Sequence, residues 1–231
     1  MNAQVEKLLY EALETEMGGV DIYTSALESA QSVDLKEEWT RYLDQTRRHV
    51  SIVLEVLEKL GLPSAKDTPG RTIVRHIGRS LVEAMEMARE AGDAAAAEIV
   101  AAECVVLAET KDHQNWELIG EAARRLSGEP KKALLEAQKQ VESEEDEHLY
   151  HTQGWARELW IRSLGLPAVL PPPEEKRHVR TAIGAAFARK TRALLPKDTQ
   201  GRKSPAPAPR ALAVTSRGRQ GKTSRTSRRT P

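Results

Sequence analysis

Apolar residues recur at intervals of three and four along most of this chain, and this periodicity constrains the fold more than any other feature. Such spacing places the apolar side chains on one face of an α-helix. A first helix is predicted over residues 3–30, with a stripe formed by Val5, Leu8, Leu9, Ala12, Gly19, Val20, Tyr23, Leu27 and Ala30. A second amphipathic helix is predicted to start near Asp34 and to stop at the GLP of residues 61–63. Because the connection between them is short, the two helices are expected to be antiparallel neighbours.

The second half of the chain repeats this arrangement. Helices are predicted over about 93–126 and 130–163, and the latter stops at a second LGLP, residues 164–167. The intervening segment, 62–92, is predicted to cross over between the two hairpins through a helix near 72–91, whose apolar face is formed by Ile73, Ile77, Leu81, Met85 and Ala88. Residues 1–165 are therefore predicted to form an all-α, antiparallel four-helix bundle with a crossover helix.

The composition changes after this bundle. Residues 176–231 contain 16 Lys and Arg and one acidic residue, whereas residues 1–175 contain 19 basic and 33 acidic residues. Residues 166–231 are predicted to be a Pro-rich linker and a disordered basic tail, because a segment rich in Pro, Ser and Arg cannot bury a core. The tail, 176–231, is a candidate for salt-dependent, non-specific contact with nucleic acid. Three alternatives are that it wraps the acidic body of a neighbouring subunit in a homo-oligomer, that residues 178–195 bind a membrane surface, or that it has no specific function.

Several classes of protein are disfavoured. The one cysteine, Cys104, cannot form an intrachain disulfide and fits a reducing compartment. No apolar run approaches the ~20 residues that a membrane-spanning helix needs, so we expect a cytoplasmic protein with no membrane span. The sequence contains no Gly-rich phosphate loop, serine triad or pair of zinc-type cysteines.

Polar residues interrupt the apolar stripe near the middle of all four main helices. They are Glu16 on the first helix, Thr46 and His49 on the second, Glu109 and Asp112 on the third, and Glu144, Glu145 and His148 on the fourth. An ionised carboxylate buried without a partner costs several kcal/mol or more. All four helices carry a polar side chain near the midpoint of the apolar stripe, which indicates that these side chains share a binding partner. The alternatives are core carboxylates satisfied by hydrogen bonds and ordinary core histidines.

The spacing of these residues indicates a metal site. In Glu145-x-x-His148 the two side chains leave one helix face about one turn apart, so an oxygen and a nitrogen can bind the same ion or adjacent ions. Antiparallel helices bring Glu16 and Glu109 to the same level, where carboxylates can neutralise two cations. Inward Glu residues combined with Glu-x-x-His form the di-metal pattern of four-helix bundles. Carboxylate and imidazole ligands together suit iron or manganese.

Four segments resemble motifs of the ferritin-like superfamily, which includes bacterioferritin, rubrerythrin and manganese catalase. They are YEALETEMGGVDIY, TRRHVSIVLEVLEKLGLP, ETKDHQNW and EEDEH, one on each main helix. The resemblance covers residues 3–165 and is greatest to small bacterial ferritin-like proteins of poorly defined, often stress-linked function. It implies a ferritin-like fold and five metal ligands, Glu16, His49, Glu109, Glu145 and His148. Tyr23 and Thr46 are expected to lie beside these ligands and support them, Tyr23 through a hydrogen bond.

The chain departs from the family pattern at Thr46, where the second helix should carry a glutamate. A hydroxyl cannot bridge two cations, so Asp112, Glu144 or His113 would have to compensate, and a site with one metal or with none are the alternatives. The resemblance implies a candidate di-metal oxidoreductase, ferroxidase-like, that reacts with oxygen or peroxide in stress protection or iron handling. The alternative function is a metal-depleted structural or DNA-associated stress protein that acts through its basic tail.

Overall fold

The computed structural model describes residues 2–166, which form five α-helices and no strand. The helices are α1 (Ala3–Ser29), α2 (Val33–Lys59), α3 (Pro69–Glu90), α4 (Ala94–Arg124) and α5 (Gly128–Ser163). The predicted all-α class is confirmed for this part of the chain. None of these five helices has the length and apolarity needed to cross a lipid bilayer. Residues 167–231, for which a linker and a disordered tail are predicted, lie outside the described residues.

The two LGLP sequences end α2 and α5 in the same way. Gly61 and Gly165 adopt φ angles of 67° and 66°, a left-handed conformation that glycine adopts without a Cβ clash. The backbone N–H of Leu62 then donates to the carbonyl of Leu57 at 2.8 Å. After α5 the N–H of Leu166 donates to the carbonyl of Ile161 at 3.0 Å. Both ends are glycine-terminated caps that satisfy the last carbonyls of the helix.

The helix α3 begins earlier than the apolar pattern predicts, at Pro69 rather than near residue 72. The hydroxyl of Thr68 accepts a hydrogen bond from the backbone N–H of Arg71 at 3.2 Å and caps the helix. Proline at the first helical position loses no intrahelical hydrogen bond. Thr68 and Pro69 therefore begin α3 and are not part of the connection between α2 and α3.

The predicted apolar face of α3 is wrong in its first half. Ile73 and Ile77 are 60% and 55% exposed, although Met85 is fully buried as expected. Arg71 takes the inward position instead, where its Nε donates to the buried carboxylate of Glu14 on α1 at 2.8 Å. This ion pair fixes the rotation of the helix, which turns the two isoleucines toward solvent.

Four of the helices form a closed ring in which α1 contacts α2, α2 contacts α5, α5 contacts α4, and α4 contacts α1. Neighbouring helices in the ring run antiparallel. At one end of α1 the Tyr10 hydroxyl donates to the carbonyl of Pro63, and farther along the Tyr23 ring packs edge-on against Tyr42 near the start of α2. The fifth helix, α3, packs against α1 and α4.

The buried apolar residues form two clusters. The first apolar cluster includes Ile22, Tyr23, Leu35, Trp39, Val105 and Trp155, and the second includes Leu9, Leu13, Val53, Leu57, Trp116 and Val141. All four ring helices contribute to both clusters. On α5, for example, the clusters are separated by the segment between Val141 and Trp155. The apolar core is thus interrupted at one level of the ring.

Candidate metal centre

Six polar residues fill the interruption, and we call them the polar layer. They are Glu16, His49, Glu109, Asp112, Glu145 and His148, and none is more than 4% exposed. One comes from α1, one from α2, and two each from α4 and α5. The two residues on α4 are three positions apart in the sequence, as are the two on α5. Both members of each pair therefore project from the same helix face.

Glu145 lies at the centre of the polar layer. Its Oε1 is 2.9 Å from Nδ1 of His49 and 3.4 Å from Nδ1 of His148. Each imidazole also faces a second carboxylate: Oε2 of Glu16 is 3.7 Å from Nδ1 of His49, and Oε2 of Glu109 is 3.5 Å from Nδ1 of His148. The layer therefore contains two groups that share Glu145, and within each group the three ligand atoms lie within 4.8 Å of one another. We call these groups the His49 half and the His148 half.

The atoms that face the centre of the layer make no well-aligned hydrogen bond to a described residue, although Nδ1 of His49 and Oε1 of Glu145 form an ion pair at 2.9 Å. They are Oε2 of Glu16, Nδ1 of His49, Oε2 of Glu109, Oδ1 of Asp112, both carboxylate oxygens of Glu145, and Nδ1 of His148. Buried polar atoms are almost always hydrogen-bonded, so a concentration of unpartnered ones needs a cause. Two ligand atoms about 2.1 Å from one ion and at right angles to each other are about 3.0 Å apart. The four separations given above run from 2.9 to 3.7 Å, so a cation that drew the ligands slightly together would satisfy these atoms.

Burial and mutual repulsion oppose ionisation of most of these carboxyl groups. Burial raises the pKa of Glu16 to about 7. Burial and the charges of Glu16 and Glu145 raise the pKa of Asp112 well above its usual range, and burial together with Glu145 raises the pKa of Glu109. In Glu145 burial also favours the neutral form, but the two neighbouring imidazoles outweigh it and hold the pKa at about 2. Without a cation the layer thus retains protons, which a bound ion would displace.

The outer ring nitrogens of both histidines have partners. Nε2 of His49 is 2.8 Å from Oε2 of Glu144, which also pairs with Arg48. Nε2 of His148 is 3.0 Å from Oε1 of Gln45. Partners on the outer nitrogens orient the rings so that Nδ1 of each faces the centre, as ligand histidines require.

The structure brings together all five predicted ligands in two three-ligand groups. Asp112 is in neither group, but it is buried and interacts electrostatically with Glu16, Glu145 and Glu109. Glu144, a candidate additional ligand, lies outside the polar layer against the outer nitrogen of His49. His113, another candidate to compensate for Thr46, pairs with Asp146 at 2.9 Å. Of the three candidates, Asp112 alone is a buried carboxylate within the layer.

Thr46 and Tyr23, which are predicted to support the ligands, differ in their surroundings. The Thr46 hydroxyl donates to the carbonyl of Tyr42 at 2.9 Å, within its own helix. Its methyl group lies 3.1 Å from where a Cβ would stand on Gly19. Tyr23 is fully buried, and its hydroxyl has no hydrogen-bond partner among residues 2–166. Burial and the charge of Glu109 raise the pKa of Tyr23 well above its usual range, so the phenol stays protonated beside a layer residue.

Sequence reasoning missed three residues that support the layer. Gln45 lies one turn before His49 on α2, and this spacing could have revealed it. Trp116 falls on the apolar stripe of its helix, which by itself predicts only packing, yet its Nε1 donates to Oε1 of Glu16 at 2.7 Å. Glu38 accepts from Nε1 of Trp155 at 2.8 Å and from the hydroxyl of Tyr42, whose ring lies 4.3 Å from the His148 ring. No signal in the sequence marked Glu38.

Comparisons with protein-family models, with curated proteins and with solved structures find no match to this chain. The resemblance to ferritin-like proteins therefore remains a prediction from the residues quoted above.

Proposed function

We propose that this chain is a ferritin-like metal-binding protein whose polar layer holds two iron or manganese ions. In this proposal α1, α2, α4 and α5 form the four-helix bundle, and α3 is the crossover helix. The proposed activity is that of an oxidoreductase acting on oxygen or peroxide, in stress protection or iron handling. The observation that carries the proposal is the set of buried, unpartnered carboxylate and imidazole atoms that converge on Glu145.

The charge of the polar layer suits two divalent ions. Glu16, Glu109, Asp112 and Glu145 supply four negative charges when ionised, and two divalent cations supply four positive charges. Two neutral imidazoles complete a set of oxygen and nitrogen ligands that iron and manganese accept. Asp112 thereby restores the carboxylate that is missing at Thr46, from α4 instead of α2.

Each residue of the layer has a distinct role in this proposal. Glu145 bridges the two halves, with Glu16 and His49 on one side and Glu109 and His148 on the other. Bound iron or manganese would supply one-electron redox chemistry toward oxygen or peroxide. Trp116 holds one oxygen of Glu16 by its hydrogen bond and leaves the other directed toward the layer. The two apolar clusters exclude bulk water from both sides.

Metal analysis of the full chain, purified without added metal, tests the proposal. We expect close to two equivalents of iron or manganese per chain, and a lower metal content in Glu16→Ala and in His148→Ala, because each substitution removes one ligand. His76→Ala, an exposed histidine on α3, is the matched control and should keep its metal. A metal-free protein that also fails to bind added Fe(II) under anaerobic conditions would refute the proposal.

The second candidate is a metal-free structural or DNA-associated stress protein. The close approach of His49 to Glu145 favours it, because an imidazolium ion could partly neutralise the layer without a metal. The basic composition of residues 176–231 suits non-specific attraction to DNA phosphates. Deletion of residues 176–231 should then abolish salt-dependent retardation of DNA in a gel. Retardation that persists after the deletion would exclude the tail as its cause.

A further inference from the structure

We propose that the two halves of the polar layer bind cations with unequal affinity, and that the His49 half fills first. A carboxylate, Glu144, contacts the outer nitrogen of His49, whereas a neutral amide, Gln45, contacts that of His148. This inference rests on the proposed function and adds an order of filling that the ligands alone do not supply.

Both outer contacts fix the same tautomer. An ionised carboxylate has no hydrogen to donate, so Nε2 of His49 must carry the proton that it shares with Glu144. The side-chain oxygen of Gln45 likewise accepts from Nε2 of His148. In both rings Nδ1 is then free of a proton and can bind a cation when the ring is neutral.

The inward ligands of the two halves are chemically alike. Each half has one histidine, one glutamate of its own, and a share in Glu145. Asp112 and the hydrogen bond from Trp116 both act on Glu16 and so add to the His49 half. The difference that a single substitution outside the layer can isolate lies in the outer contacts. A carboxylate against a ligand histidine makes the ring more basic and adds a negative charge near the ion, and loss of such a partner costs 10–100-fold in metal affinity. A neutral amide orients the ring without that charge.

Glu144 is placed so that its charge persists. Its side chain is 24% exposed, and it forms an ion pair with Arg48, which is half exposed. Since Glu144 and Gln45 are only partly buried and lie outside the layer, either can be changed without altering an inward ligand. Glutamate and glutamine have the same shape, so exchanging one for the other changes charge and proton acceptance with little change in packing.

The test is titration of the chelator-stripped full chain with Mn(II) alone, followed by calorimetry and by electron paramagnetic resonance of isolated and paired Mn(II). We expect two steps in the unmodified protein. Glu144→Gln should weaken the first step about tenfold or more and leave the second unchanged. Gln45→Glu should strengthen the second step. His148→Ala should retain the tight step, and His49→Ala should retain the weak one.

Glu142→Gln is the matched control, because Glu142 is an exposed carboxylate on the same helix. It removes the same charge without removing a contact to histidine, so it should leave both steps unchanged. Far-UV circular dichroism of each variant verifies that it is folded. If Glu144→Gln behaves like Glu142→Gln, or if the unmodified protein binds two ions with equal affinity, the filling order is wrong and the proposed function stands. If the unmodified protein binds no Mn(II) and no Fe(II), both proposals fail.

Discussion

Nε1 of Trp116 donates a hydrogen bond to Oε1 of Glu16 at 2.7 Å, from α4 to α1. Both side chains are buried, and the other oxygen of the same carboxylate has no partner among residues 2–166. The indole thus satisfies half of a buried carboxylate and leaves the other half available to an ion. Trp116 belongs to the second apolar cluster, so one side chain joins the apolar packing to the polar layer.

Trp116→Phe should therefore destabilise the metal-free protein. It leaves a buried carboxylate oxygen without its donor, and hydrogen bonds to charged groups contribute about 1.5–3 kcal/mol. Urea unfolding at pH 8 measures the change. Trp160→Phe is the control, because that indole is 43% exposed and donates to Glu103 at the surface. For the control we expect the free energy of unfolding to change by no more than about 0.5 kcal/mol. Equal losses of unfolding free energy in the two variants would contradict this role of Trp116.

Asp112→Asn should separate metal binding from stability. Burial and neighbouring charges raise the pKa of Asp112 well above its usual range, so the metal-free protein favours the neutral carboxyl group. Asparagine has nearly the same shape, and the free energy of unfolding without metal should not fall. If the polar layer holds two ions as proposed, the metal content should drop to one, because asparagine lacks the negative charge that offsets the second cation.

Asp146→Asn makes the same chemical change outside the polar layer, where Asp146 pairs with His113. Its metal content should stay at two ions per chain. A destabilised Asp112→Asn protein that retained both ions would show that Asp112 has a structural role only.

Two helical glycines should respond in opposite directions to alanine. A Cβ on Gly120 would overlap the side-chain amide of buried Gln138, whereas a Cβ on Gly18 would meet no atom within 4 Å. Gly18→Ala should raise the free energy of unfolding by up to about 1 kcal/mol, through helix propensity alone. Gly120→Ala should lower it by about 1–3 kcal/mol through overpacking, and Gln138→Ala should relieve that overlap in the double variant. Denaturant unfolding of the four variants gives the coupling directly.

Glu38→Gln should lower the free energy of unfolding by an amount that depends on pH. Burial opposes ionisation of Glu38, but contacts from His151, Trp155 and Tyr42 outweigh it and lower its pKa. The stability that a lowered carboxyl pKa contributes is present above the unfolded-state pKa and is lost as the pH falls through the folded-state pKa. We expect a loss on the order of 2 kcal/mol at pH 7.

Unfolding in urea between pH 7 and pH 3 tests this dependence. The stability difference between the unmodified protein and Glu38→Gln should shrink as the pH falls. Glu37→Gln changes an exposed neighbour and should have a small effect that does not vary in this way. A difference that stays constant down to pH 3 would mean that the charge of Glu38 contributes nothing.

The helices and the polar layer could be predicted because both depend on periodicity. Stripes of apolar residues define the helix faces, and polar residues that fall within a stripe, such as Glu16 and His148, must be buried with it. The glycine of each LGLP sequence marks a helix end, and Gly61 and Gly165 do adopt the left-handed conformation there.

The features that could not be predicted depend on contacts between helices. The rotation of α3 places both Arg71 and Arg75 against Glu14, and these ion pairs override the apolar pattern of Ile73 and Ile77. The contacts of Gln45 and Glu144 with the histidines arise where α2 meets α5. The apolar pattern of one helix contains no information on which polar side chains of two neighbouring helices will contact each other.

The division of the apolar core affects where the backbone opens most readily. Each ring helix has apolar clusters on either side of its midpoint, whereas charged groups lie at the midpoint itself. Ordinary helices exchange their amide hydrogens first at their ends. If the polar layer holds ions as proposed, their removal should let backbone amides near Glu145 exchange with solvent sooner than amides nearer the two ends of α5.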